Sequence, residues 1–467
     1  MNKQLKVLFC ILAALLLSVS VFAACTESAP SWDGTNPEGY FVIPEYEDDI
    51  ELQIGGFYAP GHTFGLTAKA FNEMVELGLT HLIPEWRQID FGTNPSAARQ
   101  FLERAKDAGL KAYVYDSSLG LPWSYAGDSP NGDKEIHHER WDTTQAEWYT
   151  QHEAFAGIHI LDEPYRFQFD DIGIKKAKWK EEFPNAPVFC NAFGYFPGGT
   201  ITLQYGFDTW RNYVNNFIDI INPDMLPHTM YPIKGDHSVV AYYFYDVAFL
   251  RLAAKEAGIP AWIYILASGH ENATKYPKLS AEDMRWQIAV AMAYGYTSVQ
   301  HYATDSPFGY DDYYISGERT DLWYNVQTAN LEVKKWDNVY MRFAEGWKGT
   351  APVSGSHGKT NPMFDLIEDG LIKPADINGV KGIMSTQDIL FGVFEDAGGN
   401  KGFMATNAAT PIEEADASVT VKFDKGYRGV LVYEKGVPRI IGLGPDGSAV
   451  INLESGEGKF LIPLKKR

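Results

Sequence analysis

Residues 101 to 118 read "FLERAKDAGLKAYVYDSS": an amphipathic helix pattern, then Gly109, then a short apolar run ending at Asp116. A glycine just past the last helical position suits a left-handed helix stop, and the apolar run that follows reads as a buried strand. Three other stretches repeat this order. They are "FNEMVELGLTHLIPEW" around Gly78, "LRLAAKEAGIPAWIYILAS" around Gly258 and "RWQIAVAMAYGYTSVQHYATD" around Gly295. Four further strand candidates lie beside helix-like text: "LQIGGFY" near 52, "GIHILDEPY" at 157–165, "APVFCNAFGYF" near 186 and "DMLPHTMYPI" near 224. Eight strands alternating with helices over about 300 residues predict a (β/α)8 TIM barrel. The rival is a doubly wound open sheet, which wants a G-x-G-x-x-G loop after its first strand; "IGGFYAPGHT" lacks that spacing.

The barrel is expected over residues 50–348. From 349 to 467 the text changes to short alternating runs such as "DILFGVFED", "ASVTVKFD" and "RGVLVYE" separated by turn residues, which predicts a small C-terminal antiparallel β-sandwich. Residues 1–24 read as an export signal, with two lysines before an apolar run and small residues before Cys25. The polar segment 25–49 has no clear periodicity and reads as a tether.

The chain has 467 residues, with 40 lysines and arginines against 60 acids, a formal charge of −20. Removing residues 1–24 takes away Lys3 and Lys6 and no acid, so the charge becomes −22. Nucleic acid is therefore excluded as an expected partner. Of three cysteines, only Cys190 lies outside the leader and its boundary, so an internal disulfide is not expected in the exported chain. No cofactor is expected. His137 and His138 have no metal-ligand spacing, and "DSPFGYDDYY" near 305 lacks the pattern of a calcium loop, so no metal is expected either.

In a barrel the strand ends share one mouth. There the sequence places Glu85 and Trp86 on strand two, Asp116 on strand three, Asp162, Glu163 and Tyr165 on strand four and Asn191 on strand five. Tyr231 follows on strand six, Trp262 on strand seven, and His301 and Tyr302 on strand eight. This lining is acidic and aromatic without a cationic cluster, which suits a neutral polyol better than a phosphate. Glycosidic cleavage needs one carboxylic acid to protonate the leaving oxygen and a second carboxylate to attack the sugar or activate water. Two adjacent carboxylates at the end of an apolar strand raise each other's proton affinity, as a general acid requires. Glu163 is the expected catalytic acid/base, with Asp162 and Asp116 as catalytic support. Glu85, Trp86, Tyr165, Asn191, Tyr231, Trp262, His301 and Tyr302 are the expected carbohydrate contacts. The bland reading of "DEP" is that Asp162 braces the backbone while Glu163 caps the next helix.

"VFAAC" at 21–25 resembles the cleavage box of bacterial lipoproteins, with Phe22 where leucine is usual. That resemblance implies a lipid on Cys25 and a place at the bacterial membrane or cell surface. "GIHILDEPY", "NAFGYFP", Tyr231-Pro232 and "SAEDMRWQIAVAMAYGYTSVQHYAT" resemble clan A glycoside hydrolases, in particular bacterial proteins called β-galactosidase-like. The resemblance implies that Glu163 occupies the acid/base position at the end of strand four. The clan's nucleophilic glutamate at the end of strand seven has no counterpart in "IPAWIYILASGH" before Glu271, and Thr229 and Leu266 also depart from the pattern. A glycoside hydrolase with Glu163 as acid, and Glu271, Glu85 or Asp116 completing the site, is one expectation. A non-catalytic glycan-binding lipoprotein on the same barrel is the other.

Overall fold

A computed structural model of the chain describes residues 31–32, 36, 39–47, 50–60, 64–84, 89–120, 140–197, 206–267, 279–304, 313–315, 317–358 and 361–467. Eight parallel strands close into a barrel: β1 (Gln53–Phe57), β2 (His81–Ile83), β3 (Lys111–Val114), β4 (Phe155–Asp162), β5 (Val188–Phe193), β6 (Leu226–Thr229), β7 (Ala261–Leu266) and β8 (Ser298–Tyr302). They pair in chain order, and β8 returns to β1 with His301 opposite Gly56. Around them run α1 (Ala68–Glu76), α2 (Pro95–Asp107), α3 (Phe169–Glu182), α4 (Trp210–Asn216), α5 (Tyr243–Ala257), α6 (Ala281–Ala293), α7 (Asp321–Val333) and α8 (Asp337–Ala344). The expected barrel is present, with all eight strands where the pattern places them.

Local chemistry explains the helix limits. Thr67 and Asn94 cap α1 and α2 by accepting from Ala70 N and Ala97 N, and Ser280 and Asp283 form a capping box on α6. Gly78, Gly109, Gly258 and Gly295 take φ of 82, 75, 69 and 76°, the left-handed region in which a side chain costs energy. Inside the barrel, His81 and Gln300 are hydrogen-bonded at 2.9 Å directly over Gly55. A Cβ on Gly55 would lie 1.8 Å from the Gln300 amide oxygen, so only glycine lets this pair cross.

Past the barrel lie β9 (Trp347–Val353), β10 (Val380–Ser385), β11 (Ile389–Glu395), β12 (Lys401–Asn407), β13 (Ala417–Phe423), β14 (Tyr427–Glu434), β15 (Val437–Gly442), β16 (Ser448–Leu453) and β17 (Gly458–Lys466). Strands β10, β13 and β16 form a three-stranded antiparallel sheet, and the other six belong to a larger antiparallel sheet. Phe391, Phe403 and Leu461 of the large sheet share one buried cluster with Val419, Val421 and Ile451 of the small one. The other face of the large sheet meets α6, where Thr350 and Thr406 hydroxyls donate to the Ala293 and Ala289 carbonyls at 2.8 and 3.2 Å.

The expected tether is corrected here. Ser31–Trp32 pairs antiparallel with β15, and Phe41–Val42 pairs antiparallel with β17, so part of 25–49 belongs to the large sheet. Phe41 is buried because Gly429 leaves room for its ring: a Cβ there would sit 2.8 Å from it. The segment is too polar to show a strand by periodicity, and the edge that recruits it is built from the other end of the chain.

Candidate active site

A bulge between His159 and Leu161 shifts the register of β4 against β5 and brings Asp162 level with Asn191. The Asn191 side-chain amide donates to Asp162 Oδ1 at 2.7 Å and to Thr229 Oγ1 at 2.5 Å, tying together β4, β5 and β6. Asn191 is buried, and its own Oδ1 has no hydrogen-bond partner.

Glu163 follows at the strand's mouth. Its backbone N–H donates to the Asn191 carbonyl at 2.9 Å, and its φ is 45°. A non-glycine residue in this region is strained, and such residues concentrate at functional sites. The bland reading of Glu163 as a helix cap does not hold. The short helical turn Arg166–Gln168 is capped at Tyr165, and α3 starts from Gln168. The half-buried Glu163 therefore holds an awkward backbone at the barrel mouth and is the N-cap residue of neither helix.

Below the carboxylates lies an aromatic floor. Tyr264 and Phe57 meet edge to face at 5.4 Å, and His159 packs between Phe189 at 4.6 Å and Phe57 at 6.1 Å. The Tyr264 hydroxyl is buried without a partner. Burial first, then the charges of Asp162 and Glu163, push its pKa well above the ordinary phenol value, so it stays a donor beneath both carboxylates. Tyr231 and Tyr302 stack at 5.2 Å as one wall of the mouth. Tyr165 stacks on Phe167 at 5.8 Å and Phe193 on Phe196 at 5.2 Å. Phe167 and Phe196, each five residues past the paired Asp162 and Asn191, are exposed.

The remaining expected residues fall elsewhere. Asp116 is fully buried at the start of a short helical turn, accepting from Ser118 N and Oγ on one oxygen and from the Tyr149 hydroxyl at 2.9 Å on the other. Burial raises its pKa to about 6, against those hydrogen bonds, and it braces the loop instead of facing a ligand. Trp262 points inward but too low: it packs on His81, Tyr113 and Phe189 in the bottom half of the barrel. His301 points outward, buried against Asn330 of α7, because Gln300 and Tyr302 take the inward positions on either side. His228 likewise faces α5, 2.8 Å from Asp246, with both side chains fully buried. Trp141 donates to Glu182 on the outer surface. Glu85, Trp86, Glu271, Asp305 and Cys25 lie outside the described residues.

Tyr264, Phe57, Phe167 and Phe196 complete the picture and carry no motif. The alternation in "AWIYIL" puts Trp262 and Tyr264 on one face, and the barrel register alone sets Tyr264 level with Thr229 and Gln300. Among the described residues no group of three or more metal-ligating side chains occurs, and no helix is long and apolar enough to cross a membrane.

No family model matches the chain, and no curated protein matches it. Among solved structures it is similar to an α-L-fucosidase isoenzyme 2 from Paenibacillus thiaminolyticus, with 9% identity over 90% of this chain and 100% of that one, at a TM-score of 0.47. It is also similar to a family 30 subfamily 8 xylanase from Clostridium acetobutylicum, with 10% identity over 90% and 98% of the two chains and a TM-score of 0.40. An endo-β-1,4-mannanase from Thermotoga petrophila is 11% identical over 87% and 98%, with a TM-score of 0.38. These likenesses are distant, and the barrel stands on its own closed strand pairing.

Proposed function

We propose that the chain is a glycoside hydrolase acting on an extracellular oligo- or polysaccharide, with Glu163 as general acid/base. The observation that carries this is Glu163 itself: a half-buried carboxylate held at φ 45° on the end of β4, beside Asp162 clamped by Asn191 and above a Tyr264 hydroxyl with no partner. In this reading Glu163 gives its proton to the glycosidic oxygen as the bond to the anomeric carbon breaks. Asp162 and Asn191 orient the sugar and keep Glu163 in place, and the Tyr231–Tyr302 wall stacks on a ring face. The second carboxylate comes from a loop, with Glu271 or Glu85 in that role, and its distance from Glu163 decides the stereochemistry. About 5 to 5.5 Å gives retention, and about 6.5 to 9.5 Å leaves room for water and gives inversion.

A second reading is a non-catalytic glycan-binding protein. It is favoured by the end of β7, where Leu266 and Ala267 stand and no carboxylate is present at the position the clan uses for its nucleophile. The same proposal takes the protein to be exported and anchored through a lipid on Cys25, and its two C-terminal sheets, sharing one core, to form a sandwich.

Purified wild type and Glu163→Gln are compared on a panel of plant and host oligosaccharides. Sugar release that disappears in Glu163→Gln supports the hydrolase. Release that survives the substitution removes Glu163 from the chemistry, and wild-type binding without release selects the second reading. Intact mass of the membrane-extracted protein tests the lipid.

A further inference from the structure

Acids outnumber bases three to two in this chain, yet one end of the C-terminal sheets reverses the sign. A cleft of about 320 Å³ there is lined by Lys381, Lys422, Lys425 and Arg428, against Asp424 and Asp446. Lys422 and Asp446 approach to 3.6 Å and offset each other. The cleft's Tyr427 pairs with Lys465, and the exposed tail Lys465, Lys466 and Arg467 continues the same edge. Lys466 lies 4.8 Å over the Tyr40 ring, which holds it at the surface. Seven cations thus stand with two acidic side chains of the cleft.

The path of the N-terminal segment ends at this same edge. Ser31 pairs with Ile441 and Trp32 with Ile440, antiparallel, so Ser31 lies beside the strand end that runs on to Leu443, which lines the cleft. Five residues lie between Cys25 and Ser31, six chain steps with a reach of at most about 21 Å. A lipid on Cys25 would therefore lie within that reach of this end. The Debye length in physiological salt is about 8 Å, so the acidic bulk of the protein is screened from the membrane while these cations are not.

We propose that the basic end formed by Lys381, Lys422, Lys425, Arg428 and the tail Lys465–Arg467 is a membrane-docking face that binds the phosphates of anionic lipid headgroups. It supplements the anchor that the lipoprotein reading places on Cys25, since one lipid and a basic patch together hold a protein more firmly than either alone. The docking is electrostatic and involves no covalent step.

The test uses protein secreted with Cys25→Ser, which keeps every described residue and cannot take the lipid. It is sedimented with vesicles of phosphatidylcholine alone and of phosphatidylcholine with one quarter phosphatidylglycerol. We expect binding only to the anionic vesicles, lost on raising salt from about 50 to about 500 mM. Lys425→Glu/Arg428→Glu is expected to weaken it about tenfold or more. Lys69→Glu/Lys106→Glu, the same charge change on exposed barrel helices, is expected to leave it within about twofold, with thermal midpoints confirming that both variants fold. No binding to anionic vesicles, or equal weakening by both variants, overturns the proposal. So does displacement from vesicles by polygalacturonate at equal charge concentration, which assigns the face to an acidic glycan. Because the lipid is absent throughout, failure here is distinct from failure of the Cys25 anchor, which intact mass reads separately.

Discussion

Glu163 holds φ at 45°, and replacing it by glycine and by alanine separates backbone strain from side-chain chemistry. A non-glycine residue in the left-handed region pays about 1–2 kcal/mol, which glycine avoids. Against this, glycine loses about 0.5–1 kcal/mol to alanine through the greater freedom of the unfolded chain. The strain outweighs the entropy, so Glu163→Gly is expected to be more stable than Glu163→Ala by about 0.5–1 kcal/mol, where an ordinary site gives the reverse order. In a domain of this size that is about 2 °C in midpoint. Urea and thermal unfolding followed by circular dichroism measure the difference, and Glu163→Gln, which keeps both the strain and the shape, is expected within about 0.5 kcal/mol of wild type. All three variants are expected to lose sugar release. An alanine variant as stable as the glycine one, or more so, refutes the claim that this residue is kept against a backbone cost.

Asn191→Ala removes the donor that links Asp162 to Thr229 and is expected to cost about 1–3 kcal/mol by unfolding, together with a fall in kcat. Phe41→Ala is expected to cost about 3 kcal/mol, read in urea, because the ring is buried against the sheet; no change would restore the free-tether reading. Acid is expected to destabilise the fold. Burial lowers His81 from 6.5 to about 4, and His159 and His301 to about 3, so the unfolded chain binds protons first and stability falls as pH drops below 6.5. Asp116 and Asp337, raised from 3.8 to about 6, bind protons first in the folded state and oppose this between those values. At pH 5 the three histidines outweigh the two carboxyls, so a net loss on the order of a few kcal/mol is expected relative to pH 7.5. Flat stability between pH 7.5 and 5 would show that the histidines are not held neutral.

The pairing of helix stop and strand made the barrel legible because both signals are local: a glycine at φ near 75° and an apolar run of four to six residues declare themselves without any partner. Four of the eight strands follow from that pairing; the other four, with Glu163 at the end of one, follow from apolar runs beside helix-like text. The N-terminal strands do not, since Phe41–Val42 becomes a strand only when β17, more than 400 residues later, offers an unpaired edge.

The site shows where local reading stops. Sequence alternation states that Trp262 and Tyr264 share a face and that His301 and Tyr302 oppose each other. It leaves open which face looks inward and how high each residue sits. Those depend on the register of eight strands closing on themselves, a non-local quantity, and on the bulge in β4 that turns Asp162 toward Asn191. Closure places Trp262 in the lower packing, turns His301 against α7 and sets the Tyr264 hydroxyl beneath the two carboxylates. By itself the sequence determined the barrel and the carboxylate at its mouth. Tertiary structure decided which neighbours that carboxylate has, because strand register, unlike helix and strand formation, exists only between segments distant in the chain.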